Sequence, residues 1–173
     1  MPHRRVVSLN GIWDLAFDPR NLGRRQRWWS RFPARTEKAP VPGVWEQVRP
    51  GYDGVGWYRT RFASPTLPPG GRIWVKFHAS AYFTEVWLNG ERLGEHEGLG
   101  APFEFEITGR LRPENELVAR VINPTINAPI DGFRAGAPLN QSDLPVGKAA
   151  WYFNYGGLWQ GVDLLVTGPA RIE

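Results

Sequence analysis

The sequence contains no cysteine and only one methionine. The absence of cysteine excludes disulfide bridges, thiolate metal sites and thiol nucleophiles. No run of apolar residues approaches the roughly 20 that a helix needs to cross a bilayer, so we expect no membrane partner. The basic start of the chain lacks the apolar stretch of a secretory signal, and we therefore expect a cytoplasmic protein.

The chain is also short. Its 173 residues predict a single domain spanning residues 1–173, because domains usually contain about 100–200 residues. This length is sufficient to bury a hydrophobic core. It is too short for a (β/α)8 barrel, which needs roughly 250 residues.

Helical periodicity is almost absent, and alternation of apolar and polar residues replaces it. Twenty glycines and sixteen prolines supply frequent turns, and Asn89-Gly90 is a strong signal for a hairpin with a type I′ turn. We predict nine strands, near residues 12–17, 44–48, 56–63, 72–79, 82–89, 91–97, 102–108, 116–123 and 161–167. Short antiparallel strands of this kind predict an all-β fold, an antiparallel β-sandwich of the jelly-roll type.

Two segments do not show a strand pattern. Residues 20–40 are rich in arginine and contain Trp28-Trp29, where we expect a short helical turn. Residues 124–150 are rich in proline and glycine and have almost no periodicity. A long irregular loop inside a compact domain is usually functional, or is disordered until another surface packs on it.

Few residues offer a catalytic or metal site. The sequence has no Gly-x-Ser-x-Gly motif for a nucleophilic serine and no phosphate-binding loop. The three histidines, His3, His78 and His96, lack the spacing of metal ligands. We therefore expect hydrogen-bonded histidines, no metal and no cofactor.

Several carboxylates could suggest glycosidic hydrolysis, for which two carboxyl groups about 5–9 Å apart suffice. Two pairs share a strand face: Glu95 with Glu97, and Glu104 with Glu106. We interpret both pairs as solvated faces of the sandwich. Asn115-Glu116 resembles an acid/base signature of glycosidases but stands at the start of a predicted strand, so we interpret Glu116 as structural.

Arginines are concentrated in residues 20–35, next to two tryptophans, which could suggest binding of nucleic acid. The formal net charge of the whole chain is only +4, and carboxylates are spread over the rest of the sequence. We therefore do not expect a nucleic-acid partner.

Nine tryptophans are many for this length, and aromatic rings stack on the apolar faces of sugars. Those within or beside predicted strands are expected in the core: Trp13, Trp45, Trp74 and Trp87. A second group follows the long loop and is a better candidate for an exposed rim: Trp151, Tyr152, Tyr155 and Trp159.

Six motifs occur in the order known from one enzyme family. They are Ser8-Leu9-Asn10-Gly11-Ile12-Trp13, Asp18–Gly23 followed by Trp28-Trp29, Val41-Pro42-Gly43-Val44-Trp45, Gly56-Trp57-Tyr58-Arg59, Glu85–Gly90 with Gly94–Gly98 and Pro102-Phe103, and Phe153–Trp159. Together they resemble the N-terminal domain of family 2 glycoside hydrolases, which include β-galactosidases, β-glucuronidases and β-mannosidases.

The resemblance implies a jelly-roll, galactose-binding-like sandwich that supports a catalytic barrel and lends loop residues to the rim of its active site. It places both catalytic glutamates in that barrel, so we expect no catalytic residue in this chain. Asn154 matches a rim position of the family. Trp151 stands where several members have a sugar-contacting aspartate. Three alternatives follow: Asp131 or Asp143 replaces that aspartate, the protein binds a different sugar, or it makes no such contact.

These observations leave three functions open. The first is a non-catalytic carbohydrate-binding or scaffold domain of a family 2 glycosidase, whose partner is the catalytic barrel. The second is a free-standing carbohydrate-binding module with Trp151, Tyr155 and Trp159 as a stacking platform. The third is a protein-interaction module, for example in a homo-oligomer.

Overall fold

The computed structural model describes residues 4–123 and 155–169. Ten strands lie in this part of the chain. They are β1 (Arg5–Ser8), β2 (Gly11–Phe17), β3 (Glu37–Val41), β4 (Gly54–Ala63), β5 (Arg72–Phe77), β6 (Phe83–Leu88), β7 (Glu91–Glu97), β8 (Phe103–Glu106), β9 (Glu114–Asn123) and β10 (Val162–Thr167). No helix among the described residues is long and apolar enough to cross a membrane.

The strands form two antiparallel sheets. One sheet has four strands in the order β1-β10-β5-β8, and the other has six in the order β3-β2-β4-β9-β6-β7. Alternate side chains of both sheets point inward and form one large hydrophobic core, with Leu15, Val75 and Val121 fully buried. The all-β antiparallel sandwich predicted from the sequence is confirmed.

Most predicted strands are present, but the structure differs from the prediction at three places. The segment predicted as a strand at 44–48 contains a 3-10 helix, Trp45–Gln47, so that prediction is wrong. Pro42 and Gly43 precede it and interrupt the strand pattern. β1 and β3 are additional strands. Both lie at sheet edges, where a strand can be short and can contain a proline such as Pro40.

The hairpin between β6 and β7 has the predicted geometry. Asn89 and Gly90 both adopt positive φ, at 53° and 85°, as a type I′ turn requires. The side chain of Asn89 also links this turn to β9, because its Oδ1 accepts a hydrogen bond from the backbone N–H of Glu116 at 3.0 Å. The turn therefore sets both the hairpin and its register with the neighbouring strand.

Residues 18–35, here called the 18–35 segment, connect β2 to β3 and cover the outer face of the six-stranded sheet. Consecutive turns bend the segment, with backbone hydrogen bonds such as Gln26 N to Leu22 O at 2.9 Å. Trp29 stacks on Trp87 at 5.4 Å with nearly parallel rings. These contacts build a second, smaller hydrophobic cluster on the outside of the sheet.

An ion-pair cluster lies beneath the same segment. Glu85 on β6 and Arg120 on β9 are 2% and 0% exposed, and their charged atoms are 2.6 Å apart. Arg24 from the 18–35 segment approaches Glu85 to 3.1 Å, and Asn21 Oδ1 accepts a hydrogen bond from Arg120 at 2.8 Å. Since buried charges need partners, this cluster ties the segment to the sheet at one defined position.

Candidate functional site

The segment from Tyr155 to Trp159 lies between the loop that follows β3 and the residues that precede β6. Its backbone is hydrogen-bonded on both sides. Gly156 O accepts from Trp45 N at 2.9 Å, and Gly157 exchanges hydrogen bonds of 2.9 and 3.1 Å with Ala81. The position of this segment is therefore fixed by main-chain contacts, and its side chains are displayed from a defined support.

The two glycines of this segment are required by the neighbouring rings. A Cβ on Gly156 would lie 2.2 Å from Cζ2 of the buried Trp45. Gly157 has a φ of +110°, and a Cβ there would lie 2.4 Å from the hydroxyl of Tyr58. The Gly-Gly pair thus permits close approach to the core and a backbone conformation that favours glycine.

Two aromatic side chains project from the ends of the segment. The rings of Tyr155 and Trp159 meet edge to face, with centroids 5.7 Å apart. Both residues are half-buried, and Trp159 Nε1 donates a hydrogen bond to Leu99 O at 2.8 Å. Burial raises the pKa of Tyr155, so its hydroxyl keeps its proton as a donor. The pair offers apolar ring surface with polar tips, which suits contact with a sugar.

Two carboxylates that the sequence analysis did not select lie at the same end of the sandwich. Glu46 Oε1 accepts a hydrogen bond from the N–H of Gly156 at 3.0 Å, whereas its buried Oε2 has no hydrogen-bond partner in the described part of the chain. Burial, and secondarily the negative charge of Asp53, raises the pKa of Glu46. Burial also raises the pKa of Asp53, which accepts from Asn123 at 3.3 Å.

The structure therefore brings together two of the six predicted site residues and adds two carboxylates. Trp151, Asn154, Asp131 and Asp143 lie outside the described residues, as does the loop predicted at 124–150. Glu46 follows directly on Val41-Pro42-Gly43-Val44-Trp45, and this adjacency is the one sequence signal that could have indicated it. We name Tyr155, Trp159, Glu46 and Asp53 together the rim site.

Four of the five carboxylates that we interpreted as solvated or structural, all except Glu104, have such roles in the structure. Glu97 on β7 is exposed and accepts a hydrogen bond from Tyr82 at 3.0 Å. Glu95 forms an ion pair with Arg92, and Glu106 forms one with Arg72. Glu116 pairs with Arg61 at 2.9 Å.

The described histidines do not form a metal centre. His78 Nε2 lies 2.7 Å from the carboxylate of Asp163. His96 stacks on Phe103 at 4.3 Å, and burial lowers its pKa. Its Nε2 is buried and has no hydrogen-bond partner among the described residues, so the expectation of a hydrogen-bonded histidine is wrong for this nitrogen. Within residues 4–123 and 155–169, no three side chains of metal-binding type are grouped; His3 lies outside these ranges.

Comparison with curated proteins identifies relatives that align with nearly the whole chain. A β-glucuronidase of Paenibacillus borealis is 31% identical over 181 residues, which cover 98% of this chain and 30% of that protein. A β-glucuronidase of Canis lupus familiaris is 32% identical over 199 residues, covering 99% of this chain and 30% of that protein. The chain thus spans about a third of the length of these relatives. No protein-family model matches it.

Solved structures give the same correspondence. The β-glucuronidase from Ruminococcus gnavus, in complex with D-glucaro-d-lactam, superposes with a TM-score of 0.74 at 26% identity and covers 95% of this chain and 29% of that one. A β-glucuronidase from an uncultured Clostridium species superposes with a TM-score of 0.76 at 24% identity, over 95% of this chain and 29% of that chain. The latter similarity supports the fold.

Proposed function

Because this chain belongs to the family 2 glycoside hydrolases, as an N-terminal β-sandwich domain, we propose that it is a non-catalytic domain that contacts carbohydrate at the rim of a β-glycosidase active site. The observation that supports this proposal is the alignment itself. It includes 98–99% of this chain and only 30% of each relative. The sequence resemblance assigns the catalytic glutamates to a barrel, for which 173 residues are too few.

The named relatives favour a β-glucuronide as the substrate of the whole enzyme. In the rim site, the ring faces of Tyr155 and Trp159 would contact the apolar face of the sugar. Asp53 would accept hydrogen bonds from sugar hydroxyls when ionised, whereas Glu46 supports the aromatic segment by accepting the N–H of Gly156 and adds negative charge to the site. Both carboxylates would repel the carboxylate of a glucuronate, so we propose that this end of the domain faces hydroxyl groups of the substrate.

The proposal is tested by titrating the purified chain with methyl β-D-glucuronide and methyl β-D-galactoside, using NMR or calorimetry. We expect saturable binding of the glucuronide with perturbation of the Trp159 indole signal. Substitution Trp159→Ala should weaken binding by about 1–3 kcal/mol, the range for aromatic stacking contacts. Trp159→Phe is the matched control: it retains an aromatic ring but removes the N–H donor to Leu99 O, and it should preserve most of the affinity.

An absence of binding at millimolar sugar would contradict sugar contact by this chain on its own and would favour a scaffold role. Equal affinity of Trp159→Ala and the unaltered chain would remove Trp159 from the site. Light scattering without sugar tests the remaining alternative. A mass that increases with protein concentration would favour a protein-interaction module.

A further inference from the structure

The outward side of the 18–35 segment is strongly basic. Five arginines on it are exposed: Arg20, Arg25, Arg27, Arg31 and Arg35. Their guanidinium groups form no hydrogen bond or ion pair within the described part of the chain. By contrast, several arginines elsewhere pair with carboxylates, as Arg59 does with Asp14 at 2.7 Å and Arg61 with Glu116 at 2.9 Å.

The backbone that supports these five arginines is held in place. The carboxylate of Asp18 accepts hydrogen bonds from the N–H groups of Leu22 and Gly23, both at 2.7 Å. Arg24 points inward to Glu85 at 3.1 Å. Binding of a ligand to the outward arginines would therefore order side chains but not the main chain, which lowers its entropic cost.

The aromatic residues of the segment point the other way. Trp28 and Trp29 are half-buried because their rings pack on Trp57 and Trp87. Non-specific binding of single-stranded nucleic acid depends on aromatic faces on which bases stack. On this surface the guanidinium groups face outward, whereas the tryptophan rings pack against the sheet and offer no face for stacking. The surface therefore suits a polyanion that has no nucleobases.

We propose that the five arginines form a docking surface for an acidic polysaccharide, a chain whose sugars bear carboxylates. Guanidinium groups bind carboxylates through two parallel hydrogen bonds, and several such contacts along one chain add by multivalency. This surface uses none of the rim-site residues. It extends the proposed function with a second contact that would hold a long acidic substrate.

The test measures binding of polygalacturonate to the unaltered chain at low and high salt, with neutral dextran and a 20-nucleotide oligothymidylate as comparisons. The variant Arg25→Gln/Arg27→Gln/Arg31→Gln should bind polygalacturonate at least tenfold more weakly and with a shallower dependence on salt, because fewer counterions are released. The matched control is Arg4→Gln/Arg5→Gln/Lys76→Gln. It also lowers the net charge of +4 by three units, but the substituted residues lie on or next to the four-stranded sheet.

The control should retain its affinity for polygalacturonate within about twofold, and Trp159→Ala should do the same. Circular dichroism of each variant confirms its fold. Three results would overturn the proposal: no binding of polygalacturonate at low salt, equal losses in the two triple variants, or tighter binding of the oligothymidylate than of polygalacturonate at equal charge concentration. The last result would assign the surface to nucleic acid.

Discussion

The buried ion pair between Glu85 and Arg120 leads to a quantitative prediction for stability. Both side chains are almost completely buried, and the pair is 2.6 Å apart. Glu85→Gln removes the negative charge of this ion pair, so the buried Arg120 guanidinium loses its carboxylate partner at 2.6 Å and keeps the weaker electrostatic influence of Asp18. Removing one partner of a buried pair typically costs about 3–5 kcal/mol, and we expect a decrease of this size in the free energy of unfolding.

The reverse substitution should cost less. In Arg120→Met, Glu85 keeps Arg24 at 3.1 Å as a counterion. The double variant Glu85→Gln/Arg120→Met no longer contains the buried cation of Arg120. Its decrease in the free energy of unfolding should therefore be smaller than the sum of the two single decreases by about 1–3 kcal/mol, within the range for residues in direct contact. This coupling separates the electrostatic effect from loss of packing.

Urea unfolding followed by tryptophan fluorescence measures these losses, because unfolding exposes tryptophans that are buried in the folded state, such as Trp57. Glu95→Gln on the adjacent strand is the matched control. The Glu95 side chain is 54% exposed, and exposed ion pairs contribute about 0–1 kcal/mol. If Glu85→Gln costs no more than Glu95→Gln, or if the double variant is strictly additive, the reasoning is refuted.

Two further predictions concern the rim site. Gly156→Ala should lower the free energy of unfolding by about 1–3 kcal/mol, the cost of overpacking, because the added Cβ would overlap the Trp45 ring. The control Gly109→Ala, which has open space around it, should be nearly neutral in the same urea titration. Burial raises the pKa of Glu46 above its ordinary value of 4.5, so the folded state binds the proton of this carboxyl more tightly than the unfolded state. The contribution of Glu46 to stability therefore decreases as the pH rises above 4.5. Glu46→Gln should remove that decrease from a pH series of unfolding curves, and an unchanged slope would contradict the assignment.

The sequence predicts those parts of the fold that depend on neighbouring residues. Alternation within β4 and β9 and the positive-φ pair Asn89-Gly90 are local signals, and the structure confirms them. The first and third strands, both at sheet edges, were not predicted from the sequence. Their pairing depends on partners far along the chain, such as Val166 for Arg5, which no local pattern indicates.

Contacts across long sequence distances account for most of what was missed at the candidate site. Glu46 joins the rim through a hydrogen bond to Gly156, 110 residues away. Arg24 and Glu85 are separated by 61 residues, so an arginine-rich segment gives no indication that one of its arginines turns inward. Sequence composition identified the segment, but only packing shows which arginines remain outside.

The tryptophans show how composition and function must be separated. Their number suggested sugar binding, yet Trp13, Trp45, Trp57, Trp74 and Trp87 are all at most 8% exposed. Trp28 and Trp29 pack on two of these, Trp57 and Trp87, from outside the six-stranded sheet. Of the described tryptophans, Trp159 alone stands at the rim beside Tyr155. The case for sugar contact in the described part of the chain therefore depends on this one pair and its neighbouring carboxylates, which makes Trp159→Ala a more decisive test than any measure of aromatic content.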